Sequence, residues 1–496
     1  MMKKQVYNPY LPIDEYIPDG EPHVFGDRVY VYGSHDREGG TKYCELDYVV
    51  YSAPVNDLKE WKCEGTIYCA KQDPNYSINR GEMYAPDVVR GNDGRYYLYY
   101  ALAGFEGPIS VAVCDTPAGK YEYLGYVRYP DGKPLNRFLM FDPALINDNG
   151  TIRLYYGWSL ATKRPDSLEE QKMYDEKMQR MFQKSQEELQ SEPQSVMGAN
   201  TVELENDMMT VKGEPVRIVP GANMADGTSF EGHAFFEASS IRKVGELYYF
   251  IYSSCLFHEL CYAVSKYPDR EFQYGGVIVS NGDIGINGRK EEDRLAATGN
   301  NHGSIEHING EWYIFYHRNT HLNSFNRQGC AEKIEISPEG KIHQVEMTSC
   351  GLNGGPLQGI GEYPAVIACN LTDGHMPHLG NEMIETYQPR ITHGNGERYI
   401  SNISKGTRIG YKYFEMYGKT KVIVSVRGGG NGELSILVDE EKKVGKITVE
   451  SAEAWKEYST TIQLEGVHPL YFVYEGEGTI ELLNIRFEKE NNNRRV

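Results

Sequence analysis

No stretch of this 496-residue chain approaches the run of roughly 20 apolar residues that a membrane-spanning helix needs, so no membrane partner is expected. The opening MMKKQVYNPYLPIDEY carries two lysines but no apolar segment behind them, and it does not read as a secretory signal. The nine cysteines are scattered, with no CxxC pair and no zinc-type ligand spacing. Such a set reads as reduced thiols, and together with the N-terminus it sets the expectation of a cytoplasmic protein. Positive charge is also short: Lys and Arg number 51 against 70 Asp and Glu, a net charge of −19. That balance argues against a nucleic-acid partner, which would need clustered Lys and Arg, and against a strongly anionic polymer as substrate. A Gly-rich phosphate loop, a GxSxG elbow and an HExxH motif are all missing.

What is abundant is tyrosine, 39 residues, and much of it sits in a repeated pattern. Five times a glycine is followed by a short aromatic or aliphatic strand: GDRVYVYGS from Gly26, GRYYLYY from Gly94, GTIRLYYGW from Gly150, GELYYFIYSS from Gly245 and GEWYIFYHR from Gly310. The intervals between these glycines are 68, 56, 95 and 65 residues. Turn glycines feeding β-rich strands at this period are expected of blades around an axis, with the strand after each glycine taken as the inner one. The fold class expected is therefore all-β: a five-bladed β-propeller over residues 1–346, with ligands held where the blades converge. A chain of this length also exceeds one ordinary core, so a second domain is expected.

The long 95-residue interval implies a helical insertion at about 163–195. Ser167 and Glu170 have capping-box spacing, and Tyr174, Met178, Met181, Phe182, Ser185 and Leu189 fall on one helical face. Packing on the propeller rim, covering the site, or forming a contact in a homo-oligomer are the roles open to it. Gly- and Pro-containing sequence from Met347 to Tyr363 reads as a linker, placed at 347–366. Beyond it VIVSVRG, GELSILVD, GKITVES, YSTTIQLEG, HPLYFVYEG and TIELLNIRFE alternate as short strands, which predicts a β-sandwich over 367–490 followed by a polar tail, 491–496.

Acids recur at matched places in these repeats. Asp19 lies seven residues before Gly26, while Asp142 and Glu237 lie eight before Gly150 and Gly245. Equal offsets in equivalent repeats put side chains at equivalent positions around an axis, so three carboxyls should converge. Two carboxyls across a sugar, one protonated and one ionised, are what glycoside hydrolysis requires. A third nearby acid would raise the pKa of the proton donor. By the same logic Asp87, seven residues before Gly94, would hold substrate hydroxyls. His302, eight before Gly310, would bind a sugar hydroxyl or help hold a hydrated cation on the axis, although calcium prefers oxygen ligands.

These segments resemble glycoside hydrolase family 43, over residues 8 to about 345 and with the motifs in family order. NPYLPIDEYIPDG is similar to the family's NPxLPG-x-YPDP start, which implies Asp19 as general base. The family's Asp-Pro is here Asp19-Gly20, with Glu21-Pro22 two residues on, so Glu21 is a rival base. FDPALINDNG resembles the segment bearing the acid that modulates the proton donor, implying that role for Asp142. FFEASSIRKVGELYYFIYS resembles the stretch with the general acid, implying Glu237, with Glu231 as the alternative. GNNHGSIEH resembles the segment whose His lies deep in the pocket near a bound cation, implying His302. NRQGCAEKI resembles a stretch whose Arg contacts substrate, implying Arg327. The C-terminal strands resemble family 6-type carbohydrate-binding modules, in which Trp455 or Tyr417 could stack on a sugar, or the sandwich could simply support the propeller.

The resemblance implies an exo-acting, inverting hydrolase that releases a terminal furanose or pentose from an oligosaccharide. An α-L-arabinofuranosidase or β-D-galactofuranosidase is the first expectation and a β-xylosidase the alternative. Tyr84, Phe141, Trp158 and Phe236 would wall the pocket, and the two catalytic carboxyls should stand roughly 6.5–9.5 Å apart to admit water. No cofactor is required, and the resemblance leaves room for a structural calcium on the axis. Two other readings stay open: a sugar-binding propeller without catalysis, and a phosphorylase, for which Arg327, Arg318 and Arg242 are the candidate phosphate ligands.

Overall fold

A computed structural model describes residues 4–104, 107–182, 184–191, 196–378, 384–439 and 441–490. The expected polar tail at 491–496 and the last residues of the insertion, 192–195, lie outside the described residues. Four four-stranded antiparallel sheets, over 21–68, 87–126, 144–220 and 235–280, are followed by a three-stranded one over 304–334. The first strands of the five sheets are Glu21–Phe25, Asp87–Arg90, Ala144–Asp148, Phe235–Val244 and Ser304–Ile308, and they pack beside one another around a common axis. Five apolar clusters, each shared by two neighbouring sheets, fill the spaces between blades.

The repeated glycines mark these blades, but the strand after each glycine is the second strand, not the inner one. The glycine occupies the turn between the two. All five have positive φ, from 60° at Gly245 to 93° at Gly150, a region that disfavours a Cβ. Asn149-Gly150 and Asn309-Gly310 bridge two-residue hairpins with both φ values positive, as a type I′ turn requires. The acids counted back from the glycines therefore stand at the starts of the inner strands, at one end of the axis.

The N-terminal segment closes the ring against the last blade. The amide of Tyr10 donates to the Gly329 carbonyl. The fully buried Asn8 donates through Nδ2 to Ala331 O at 3.0 Å and Glu332 Oε1 at 2.9 Å, and its Oδ1 accepts from the Ala331 amide at 3.0 Å. A parallel bridge between Gly20 and Gly303 joins the first and fifth inner strands at their starts.

The insertion folds as two helices, α1 (Leu168–Phe182) and α2 (Gln186–Ser191). Ser167 Oγ accepts from the Glu170 amide at 3.3 Å, and Ser185 Oγ does the same for Glu188 at 3.2 Å, so each helix starts on a Ser-x-x-Glu cap. Met178 and Phe182 are buried and pack on Trp158 and its neighbours, whereas Met181 turns toward the site described below.

The C-terminal strands form one continuous sheet, antiparallel except where Leu357–Gln358 runs parallel to Arg408–Gly428, wrapped around a single apolar core. Two long strands, Arg408–Gly428 and Ala452–Glu477, run through it, and the second unites the two segments YSTTIQLEG and HPLYFVYEG expected as separate strands. The linker boundary also needs correcting. Leu357–Gln358 pairs with Arg408–Gly428, and Gly361–Pro364 pairs with Ile480–Lys489. Glycine and proline in this stretch suggested a free connection, but Leu357 and Tyr363 are buried in the sandwich core and draw their strands into the sheet. Sandwich and propeller are clamped together by buried charge: Lys412 Nζ meets Asp283 Oδ2 at 2.7 Å and Glu346 Oε2 at 2.8 Å.

Candidate active site

A pocket of about 480 Å³ opens at the end of the axis where the inner strands begin. Its floor carries Asp19, Asp142, Glu237, His302 and Arg327, and Tyr84, Phe141, Trp158 and Phe236 contribute aromatic walls, so these nine expected residues meet in one place. Their convergence follows from strand register. Asp19, Asp142 and His302 each stand six residues before the last residue of their inner strand, Phe25, Asp148 and Ile308 respectively. Glu237 stands one residue further from Val244, and register shifts on either side of it absorb the extra residue.

Register also shows why Asp87 belongs elsewhere. The first turn of the second blade runs from Gly91 to Arg95 rather than over two residues, so its glycine sits further from the strand end. Counting from Arg90, the residue equivalent to Asp19 is Tyr84, whose carbonyl accepts the buried Tyr48 hydroxyl. Asp87 is deeper and does not line the pocket. Its Oδ1 is 2.6 Å from His23 Nε2 and its Oδ2 accepts from the Leu145 amide at 2.6 Å, a structural brace between blades.

Glu21, the rival base, is likewise deeper. It is the first residue of its inner strand, buried, and its Oε2 pairs with Arg242 at 3.0 Å. It is not part of the pocket wall. Glu231, the alternative acid, accepts from the Gly227 amide in an exposed turn and is also absent from the pocket.

The three pocket carboxyls live in different environments. Burial would raise the pKa of Asp19, but the Arg327 guanidinium, with Nη1 2.9 Å from Oδ1, and His317, with Nδ1 3.2 Å away, hold it well below the carboxylate range. Glu237 shows the opposite result. Burial, reinforced by the charge of Asp19, pushes it up to about 7, against hydrogen bonds from Asn300 Nδ2 and Trp158 Nε1, each 3.1 Å. Asp142 is also raised, by burial and by the charges of Glu237 and Asp19, although its Oδ2 accepts from the Ala238 amide at 2.9 Å. Both acids are thus held toward the protonated form while Asp19 stays ionised. Asp19, Asp142 and Ala238 all have positive φ (59°, 43° and 70°), a cluster of strained backbone of the kind found at functional sites.

Several contributors escaped the sequence reading. Asn300 positions Glu237, and the Asn300 carbonyl is 2.9 Å from Nε2 of His317, the residue behind Asp19, so one short chain of contacts links the two acids. Asp36 shares Arg327, with Oδ2 2.9 Å from Nε. Tyr43 lies under the same guanidinium at 4.8 Å. From α1, Lys177 and Met181 reach the pocket rim, so the insertion both packs on the rim and borders the site. Asn300 is the second residue of the GNNHGS motif and could have been nominated there. Asp36 lies in the loop after the second strand of the first blade and His317 near the end of the second strand of the fifth, and only the folded ring brings them to Asp19.

Nε2 of His302 is buried without a partner among the described residues, and burial lowers its pKa to about 4, leaving it neutral. A neutral, unpartnered ring nitrogen fits contact with a hydrated cation on the axis. A phosphorolytic site would need spare cationic groups. Of the three arginines considered, only Arg327 lines the pocket, and Asp19 and Asp36 already share it. In the sandwich, Arg427 lies 4.1 Å over the Trp455 ring, whose Nε1 donates to Glu397, and Tyr417 donates to Glu415. All nine cysteines are unpaired.

Comparison with known proteins places this geometry. The family model described as "Glycosyl hydrolases family 43" matches residues 17–199 and 181–342. A xylosidase/arabinosidase of Thermoclostridium stercorarium is 48% identical over 496 residues, covering 97% of this chain and 98% of that protein. An arabinoxylan arabinofuranohydrolase of Paenibacillus polymyxa is 26% identical over 93% of this chain and 71% of its own length. Among solved structures, the GH43_1 enzyme from Xanthomonas citri complexed with xylose superposes with a TM-score of 0.51 at 22% identity, over 69% of this chain and 94% of that one, a likeness of fold.

Proposed function

The chain belongs to glycosyl hydrolases family 43, and from that membership we propose that it is an exo-acting, inverting hydrolase of terminal pentosides, with α-L-arabinofuranosides first and β-D-xylopyranosides second. The observation that carries the mechanism is the split between Asp19, held ionised by Arg327, and Glu237, pushed up to about 7 in the same pocket. The Asp19 carboxylate takes a proton from a water whose oxygen attacks the anomeric carbon. The Glu237 proton passes to the departing glycosidic oxygen as that bond breaks, and the configuration at carbon inverts. Burial and the Asp19 charge keep the donor protonated near neutral pH, with Asp142 as the modulating acid in the same pocket. Tyr84, Phe141, Trp158 and Phe236 enclose the sugar ring, and Arg327 lines the pocket while holding Asp19 in place.

The reading of both pentoses draws on the full-length relative named for xyloside and arabinoside cleavage. Neither the Thermoclostridium nor the Paenibacillus relative is named for galactofuranose, and that expectation is not carried forward.

The test is hydrolysis of 4-nitrophenyl α-L-arabinofuranoside and β-D-xylopyranoside by wild type, Glu237→Gln and Asp19→Asn, with the first-formed anomer followed by NMR. Release of an inverted sugar, lost in both variants, is the expected result. A retained anomer, or turnover that survives either substitution, would overturn the assignment.

A further inference from the structure

The seam between propeller and sandwich holds a second cavity of about 40 Å³, apart from the sugar pocket. Met347, Leu371, Ile384 and Ile391 give it apolar walls, yet two guanidinium groups reach it, Arg318 from the propeller strand Glu311–Asn319 and Arg390 from the sandwich strand Arg390–Gly394. Arg318 is only 5% exposed. Its Nε donates to Cys330 Sγ at 3.0 Å and its Nη1 to the Ala368 carbonyl at 3.5 Å, while Nη2 is buried with no acceptor. Nε of Arg390 is buried with no acceptor as well. Neither arginine has a carboxylate partner among the described residues.

A buried cation is ordinarily paired, because desolvation is otherwise uncompensated. The protein's own groups do not supply the charge here. Burial pushes the Cys330 and Cys369 thiols up to about 11, so neither is a thiolate near neutral pH. Asp283, on the same seam, is taken by Lys412.

We propose that this cavity binds one small monovalent anion of the halide class, chloride under ordinary conditions, held by Arg318 Nη2 and Arg390 Nε so that it ties the propeller to the sandwich. The volume suits a single ion with little accompanying water. A larger oxyanion would meet two acceptors on the same wall, Asn281 Oδ1 and Asn319 Oδ1. Both amide nitrogens are already committed, to the His317 and Ser324 carbonyls, so these oxygens cannot turn into donors.

Crystals of the full chain grown in sodium bromide, measured at the bromine absorption edge, test this directly. An anomalous peak in the cavity, within hydrogen-bonding range of Arg318 Nη2, is expected, and a cavity filled only by water would overturn the proposal. In solution, replacing gluconate by chloride at fixed ionic strength should raise Tm by about 2–4 °C and saturate, as binding to the folded state does. Arg390→Gln and Arg318→Met should lose that saturable response. A response unchanged in Arg390→Gln would also overturn it, whether or not Arg318→Met folds.

Discussion

Glu21 and Glu237 are both buried at the starts of inner strands, and burial pushes both up, Glu21 to about 8 and Glu237 to about 7. On titration alone they are equal candidates for a proton donor. They differ in what surrounds them. Glu237 faces the pocket and is held by neutral donors, Asn300 and Trp158, that leave room for a substrate oxygen. Glu21 faces Arg242 and Ser240 and does not line the pocket. A perturbed acid becomes reactive only where a substrate can reach it, and here access separates two residues that electrostatics does not.

The largest expected effect that would break this comparison is at Glu237. Glu237→Gln should lower kcat by about 10²–10⁴-fold, with folding retained by circular dichroism. In wild type the donor must be protonated, so activity should fall as pH rises through about 7. Because Asp19 is held far below the usual range, the acidic limb should lie well under that of an ordinary carboxylate. A rate that keeps rising past pH 8 would remove Glu237 from the donor role.

Arg327 comes next, because it sets the ionised side of the pocket. Arg327→Met strands Asp19 and Asp36 as buried carboxylates, and loss of one partner of such a cluster costs about 3–5 kcal/mol. A large drop in Tm is expected, together with an acidic limb moved upward, since the main influence lowering the Asp19 pKa is gone.

Glu21→Gln sharpens the contrast from the other side. Between the ordinary Glu value of 4.5 and about 8 the folded protein keeps a proton on Glu21 that the unfolded chain releases, so stability falls as pH rises through that window. The substitution should flatten this fall by on the order of 2–4 kcal/mol while leaving kcat within about twofold. Urea unfolding at pH 5 and pH 8 measures the first effect and a standard assay the second. A Glu21→Gln variant without activity would restore Glu21 as the base.

The smallest effect is expected at Trp158→Phe. Losing the indole hydrogen bond to Glu237, worth about 1 kcal/mol, removes one influence that lowers the Glu237 pKa. The alkaline limb of the pH profile should therefore shift upward, with a loss in kcat/KM of about fivefold.

Much of the architecture is local and so could be read along the chain. A turn that requires positive φ selects glycine, strands select tyrosine and valine in alternation, and Ser-x-x-Glu marks a helix start. The five blades, the helical insertion and the sandwich strands rest on these short-range preferences. The positions of Asp19, Asp142, Glu237 and His302 were legible for the same reason, because matched offsets from the turn glycine place equivalent residues at equivalent heights. What depended on distant partners was not legible. The longer turn after Arg90 displaced Asp87 and left Tyr84 at the pocket. Asn8 closed the ring from 323 residues away, and the core of the sandwich drew Leu357 and Tyr363 out of an apparent linker. Which acid is ionised, which is protonated and which is walled off is set by Arg327, His317, Asn300 and Arg242, all remote in sequence from the carboxyls they face. Charge interactions at three ångströms are properties of the folded ring, and only tertiary structure could decide them.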